Sequence, residues 1–264
     1  MHIRLYYARK EFELDYSTLN YSPKMKKKLI LFITVLFVAV TSCSCLDLMS
    51  VRPSGQYIAK KINVGDFENV SVSNGFELIL TQDSKEELVI ETYENVHEYI
   101  VVRVEGSTLK IYREGGIFFS GNTKVKIHLS CSYLGKITGS GGTKIDMESG
   151  WSGDQMKISI SGGGRIFGNL KLNSLYMSMS GGSRSELEGE VDYLSLSSSG
   201  GSVHRHFGLE TNECRASMSG GASAELYVKE RLEVSGSGGT SVRYRGNPQL
   251  STKLSGGSSV HKAF

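Results

Sequence analysis

The sequence predicts an all-β fold, a right-handed parallel β-helix (solenoid) with about 19 residues per rung, and three observations carry that prediction. The first is a tripeptide. Ser-Gly-Gly recurs at Ser140, Ser161, Ser180, Ser199, Ser219, Ser237 and Ser255, at intervals of 21, 19, 19, 20, 18 and 18 residues. The second is a set of columns counted back from those serines. Five positions before them stand Met156, Leu175, Leu194, Cys214, Leu232 and Leu250, and three before stand Ile158, Met177, Leu196, Ala216, Val234 and Thr252. Two before, on the opposite face, stand Ser159, Ser178, Ser197, Ser217, Ser235 and Lys253, so the chain alternates apolar-in and Ser-out with the period of a strand. The third is a short second strand after each glycine pair, as at 143–147, 224–228 and 241–244.

Each part has a physical role. A rung of strand, bend and strand cannot bury its own apolar face, but stacked rungs close the backbone ladder and share a narrow core. The glycines make the bend, where a positive φ or the approach of the neighbouring rung excludes a Cβ. Of the 31 glycines in 264 residues, 24 lie from Gly135 onward, so the excess belongs to the repeat and not to a collagen-like or low-complexity chain. The leucine spacing of leucine-rich repeats is missing, and the varying interval does not fit a six-residue left-handed helix. The calcium-binding nonapeptide repeat needs a regular Asp after its glycines, where this chain offers mostly Ser, Thr, Ala and Arg, so no calcium and no other cofactor is expected.

Taken from the N-terminus, residues 1–24 read as an upstream extension, with Met25 the true start. Residues 25–42 read as a lipoprotein signal peptide: Lys26, Lys27 and Lys28, then the 12-residue apolar run 29–40. That run is too short for a transmembrane helix, which needs about 20 residues. Val40-Thr41-Ser42-Cys43 resembles a bacterial lipobox, which implies lipidation of Cys43, attachment to the membrane through it, and an exported outer membrane lipoprotein facing the periplasm or the cell surface. Residues 43–65 read as a tether. Between 66 and 134 there is no Ser-Gly-Gly, yet alternation persists at 70–72, 76–80, 88–90, 109–111 and 125–129, as N-terminal rungs or as a cap. The segment 114–122, containing Ile117-Phe118-Phe119, interrupts this region as a candidate exposed apolar loop. Residues 135–264 carry the Ser-Gly-Gly rungs, so 66–264 forms a single β-helix domain.

The formal charge of +3 belongs to the leader. Without residues 1–42 the chain loses seven of its 30 basic and three of its 27 acidic residues, leaving 23 against 24. No basic stripe of the kind nucleic-acid binding needs is expected.

The sequence resembles a known family, the bacterial auto-transporter adhesins with a head GIN domain, found among envelope proteins of Bacteroidota. The likeness rests on residues 67–78 (Phe-Glu-Asn-Val-Ser-Val-Ser-Asn-Gly-Phe-Glu-Leu), on Gln82-Asp83, on Leu88-Val89-Ile90-Glu91 leading to Asn95-Val96, on 106–111, and on the Ser-Gly-Gly ladder. It spans about residue 66 to the end, and implies a β-helical domain on an exported lipoprotein with an adhesive role. It carries over no catalytic residue.

Candidate sites are few. Trp151, in the longest rung, together with Tyr227 and Tyr244 and with Tyr176 and Tyr193 nearby, offers a possible glycan-stacking face, against the plainer reading of aromatic residues covering rung corners. Glu186, Glu188 and Glu190 alternate on one strand face and read as solvated rather than catalytic. His204 and His206 point the same way on a strand but lack a convincing third metal ligand, and read as solvent-exposed imidazoles. Cys131 and Cys214 lie about four rungs apart, beyond the reach of a disulfide, so both are expected free, with Cys214 a small core residue. These readings point to a non-enzymatic, lipid-anchored envelope protein whose repetitive surface binds a glycan, matrix component or protein. The alternatives are a β-helical polysaccharide lyase or hydrolase, or a purely structural envelope accessory.

Overall fold

The computed structural model describes the backbone of residues 2–7 and 10–15, and the chain from 49 to 264. The signal peptide, Cys43 and the start of the expected tether lie outside the described residues. The chain divides into two units, Met1–Leu48 and Met49–Phe264. In the first, β1 (His2–Tyr7) and β2 (Lys10–Asp15) pair as an antiparallel hairpin, His2 opposite Asp15.

The second unit is a parallel β-solenoid. Its repeating strands are long: β13 (Lys144–Ile160), β14 (Arg165–Met179), β15 (Arg184–Ser198), β16 (Val203–Gly220) and β17 (Ser223–Gly238). Each runs from one Ser-Gly-Gly bend to the next, so it supplies the second half of one rung and the first half of the following one. Successive strands pair in parallel, with Met156 beside Leu175, Leu175 beside Leu194, Leu194 beside Cys214 and Cys214 beside Leu232. These are the columns counted in the sequence, and all of these residues are buried. The stack continues through β18 (Ser241–Arg245), β19 (Gln249–Leu254) and β20 (Ser259–Lys262). In this last rung Leu250 and Leu254 are 44% and 41% exposed, whereas Leu232 and Leu194 in the column of Leu250 are buried.

The bends show why the tripeptide recurs. Gly181 has φ +73, and a Cβ there would stand 2.6 Å from the carbonyl oxygen of Gly162 in the neighbouring rung. The next residue, Gly182, donates its N–H to that same oxygen at 2.8 Å, so the backbone ladder runs unbroken round the corner. In the rung before the first Ser-Gly-Gly, Asn74 takes the place of the first glycine with φ +65, a conformation that Asn tolerates better than most residues. Ser73-Asn74-Gly75 is therefore a further bend of the same kind.

The region 66–134 is both rungs and cap. Strands β5 (Asn69–Val72) and β6 (Glu77–Gln82) form one rung, and β9 (Thr108–Arg113) with β11 (Lys126–Cys131) forms another. Their spatial order is not their chain order. The rung of β5 and β6 lies between that of β9 and β11 on one side and that of β12 (Lys136–Gly139) and β13 on the other. Beyond β9 and β11 the pairing becomes antiparallel, through β7 (Glu87–Tyr93), β8 (Ile100–Glu105) and β4 (Tyr57–Ile62). One short helix, α1 (Glu94–His97), follows β7.

Two expectations change here. Some of the segment read as a tether is built into sheet: β4 pairs with β7, and β3 (Met49–Val51) pairs in parallel with β10 (Ile117–Phe119). The apolar loop at 117–119 is that strand. Only Phe118 of the three stands out, at 54% exposure; Ile117 is buried, and Phe119 stacks on Phe76 with ring centroids 6.5 Å apart.

Candidate functional site

The side chains singled out in the sequence do not form one face. Trp151 is 3% exposed and lies in the core, in register with Leu170, so it presents no ring for stacking a sugar. The cause is local: the ladder shifts between Met147 and Trp151, and the bulge turns the indole inward. Tyr227 and Tyr244 are half-buried and occupy different columns, since Tyr244 is in register with the buried Leu226 while Tyr227 is in register with Arg245. Tyr176 and Tyr193 touch edge to face at 6.0 Å.

His204 and His206 correct the sequence reading more sharply, because both are buried, at 0% and 1% exposure. The residue after each glycine pair faces inward: Thr143, Ser183, Ser202, Ala222 and Thr240 are all buried, and this small, mostly polar column shifts the inward register by one. In two of them the hydroxyl reaches the bend, Thr143 Oγ1 donating to the Ser140 carbonyl and Ser202 Oγ to the Ser199 carbonyl, both at 2.6 Å, whereas Ser183 Oγ is buried without a partner. His204 Nδ1 and His206 Nε2 each lie 2.8 Å from Ser185 Oγ, and His204 Nε2 lies 2.8 Å from Ser198 Oγ. Two opposite directions satisfy these contacts, and the one that leaves no buried N–H unpaired has His206 Nε2–H donate to Ser185 Oγ, the Ser185 hydroxyl to His204 Nδ1, and His204 Nε2–H to Ser198 Oγ. His206 Nδ1 is then a bare lone pair, buried without a partner. Burial pulls His204 from the ordinary 6.5 down to about 4, and burial followed by the charge of His204 holds His206 well below its ordinary value. Ser185, at 2% exposure, is sealed with them, so these Ser–His pairs cannot meet a substrate as an activated nucleophile.

Cys131 and Cys214 are free and buried. Burial pushes both thiols up to about 12, first among the causes in each, so they behave as small apolar residues. Among the described residues no group of three or more His, Cys, Asp or Glu is placed to hold a metal.

A concavity of about 860 Å³ lies on the strand face just after the bends. Its wall is a cationic column: Lys144, Arg165 and Arg184 stand in register on consecutive rungs, each the fourth residue after a Ser-Gly-Gly serine. Two residues further along the same strands, on the same face, come Asp146, Phe167 and Glu186, with Arg205 of the following strand in register with Glu186, and beyond them Asn169 and Glu188. Lys144 Nζ is 2.6 Å from Glu77 Oε1 and 4.8 Å from the Phe167 ring centroid. Arg205 is loosely paired with Glu186, at 3.9 Å. Arg165 and Arg184 are exposed, and among the described residues neither has an ion-pair or hydrogen-bond partner for its side chain. Columns counted forward from each serine as well as backward would have found this wall, because the fourth position reads Lys, Arg, Arg, Val, Ser, Ser, Ser.

A solenoid with a charged groove along one flank, its Ser–His pairs sealed inside and its polar residues stacked rung on rung, is a repeat scaffold that displays side chains at fixed spacing. The chain belongs to the family described as "Putative auto-transporter adhesin, head GIN domain", which matches residues 66–248. It is similar in structure to a putative adhesin from Bacteroides fragilis NCTC 9343, with a TM-score of 0.76 at 23% identity over 81% of this chain and 100% of that one. A putative lipid binding protein from Parabacteroides distasonis ATCC 8503 matches with a TM-score of 0.68 at 19% identity, again over 81% and 100%. A putative adhesin from Parabacteroides merdae ATCC 43184 matches with a TM-score of 0.64 at 20% identity, over 82% and 100%. At these identities the likeness is one of fold. No curated protein matches the sequence.

Proposed function

We propose that the protein is an exported cell-envelope adhesin, anchored by a lipid on Cys43, that binds its ligand non-covalently along the solenoid flank and does not cleave it. The observation that carries this reading is the groove wall, where Arg165 and Arg184 stand exposed on adjacent rungs and, among the described residues, unpaired. Exposed ion pairs contribute little to stability, about 0–1 kcal/mol each, and unpaired exposed arginines contribute no pairing energy at all. Their placement serves the surface they present. Membership of an adhesin family and the leader at 25–42 support export, with the rod facing the periplasm or the cell surface.

The purified protein on a glycan array is expected to retain glycans while releasing neither new reducing ends nor unsaturated products from them. Release of either would mean an enzyme. Attachment is tested in cells: Cys43→Ala is expected to move the protein from the membrane to the soluble fraction, and a variant that stays with the membrane would refute the lipid anchor. Protease shaving of intact cells then separates a surface-facing from a periplasmic rod.

A further inference from the structure

The groove wall narrows the ligand class, on the premise that this flank is the binding surface proposed above. We infer that the groove binds an acidic polysaccharide, lying along the solenoid axis, with sugar carboxylates seated on Arg165 and Arg184 and a sugar ring against Phe167.

Four features lead there. Lys144, Arg165 and Arg184 place three cations in line at the strand spacing of about 4.8 Å. Like charges directly opposite on neighbouring strands repel, and Lys144 is relieved by Glu77 whereas the two arginines, among the described residues, have no acidic partner of their own. An anion between them removes that repulsion, and a guanidinium binds a carboxylate through two parallel hydrogen bonds. The second feature is spacing: a pyranose with its glycosidic oxygen is about as long as a rung is thick, so a linear uronate can bring successive carboxylates to successive rungs or alternate ones to alternate rungs.

The third feature is the opposite wall. Phe167 is half-buried, with Lys144 over its ring, and offers an apolar surface of the kind that packs on the C–H face of a sugar. Glu186, Glu188 and Asn169 line the far side, where they accept hydrogen bonds from hydroxyls. The fourth feature is size, since about 860 Å³ falls within the range of about 300–1,000 Å³ typical of small-ligand sites and takes a short stretch of a longer polymer.

The test uses the full chain and three immobilised probes: polygalacturonate, its neutral methyl ester, and single-stranded DNA. Polygalacturonate is expected to bind best, with binding that weakens as salt rises. Arg165→Ala and Arg184→Ala should each lower its affinity roughly ten- to hundredfold, the loss expected for a charged hydrogen-bonding partner. Arg231→Ala, outside the groove, should leave affinity unchanged. Both groove arginines are exposed, so the melting temperature should not move; should an alanine variant fold poorly, Arg165→Gln and Arg184→Gln serve instead.

Equal binding of the methyl ester would overturn the inference, as would equal binding of DNA through the same arginines, or polygalacturonate binding that survives both substitutions. Failure to bind polygalacturonate while the array retains other glycans would also overturn it, yet leave the adhesin reading standing. Silence on every glycan would count against both.

Discussion

At the scale of single residues, the two buried histidines have the clearest measurable consequence. Both are held neutral in the core, so the unfolded chain takes up protons more readily than the folded one between the ordinary value of 6.5 and about 4, where His204 titrates in the fold. Their contribution to stability is therefore complete above 6.5 and is lost as pH falls through that window. Melting temperature measured in steps from 6.5 to 4 should fall. His206→Leu, which removes one protonation site and the orphaned Nδ1, should make the fall shallower. An identical slope in the variant would show that surface carboxylates, and not the imidazoles, govern acid sensitivity. The network was illegible in the sequence because serine reads as an outward residue. In this core Ser183, Ser185, Ser198 and Ser202 all face inward.

The repeating element is the bend, and its rule is steric. Gly181 combines a positive φ with a neighbouring carbonyl oxygen only 2.6 Å from where a Cβ would sit, so Gly181→Ala must strain the backbone or push adjacent rungs apart. A loss of about 1–3 kcal/mol is expected from the strain alone, read as a lower denaturation midpoint in urea. Ser180→Ala in the same bend leaves the glycines in place and should cost much less. A near-neutral Gly181→Ala would mean that stacking does not demand glycine at the bend.

The bends, the apolar columns and the free, buried Cys214 were legible because each obeys a strict offset from a visible tripeptide. Asn74 was not, since its bend uses a different residue for the same dihedral angle. Trp151 was misplaced for a related reason: a ladder shift breaks the offset on which inside and outside were counted. The cationic wall at Lys144, Arg165 and Arg184 was hidden in another way. Each residue sits alone in the chain, and only stacking makes them neighbours.

At the scale of the whole solenoid, stability should grade from the ends inward, because each rung touches only its neighbours. The rung of β19 and β20 has a partner on one side, and Leu250 and Leu254 remain open to solvent. Amide hydrogen exchange should be fastest along 249–262 and slowest in the middle rungs of β14 to β16, where strands are paired on both flanks. Uniform protection along the rod would indicate a single cooperative unit and contradict this gradient.

The displaced order of the first rungs bears on how the molecule carries load. In a plain solenoid a pull on one end peels the chain away rung after rung, a few hydrogen bonds at a time. Here Val70 and Val72 are held between Leu109 and Ile111 on one side and Ile137 and Gly139 on the other. Tension entering from the N-terminal side first meets β3 and β4, each paired on one edge, and then reaches an inner strand clamped on both edges, where two ladders must give at once. A clasp of this form would suit the anchored, flank-binding rod proposed above.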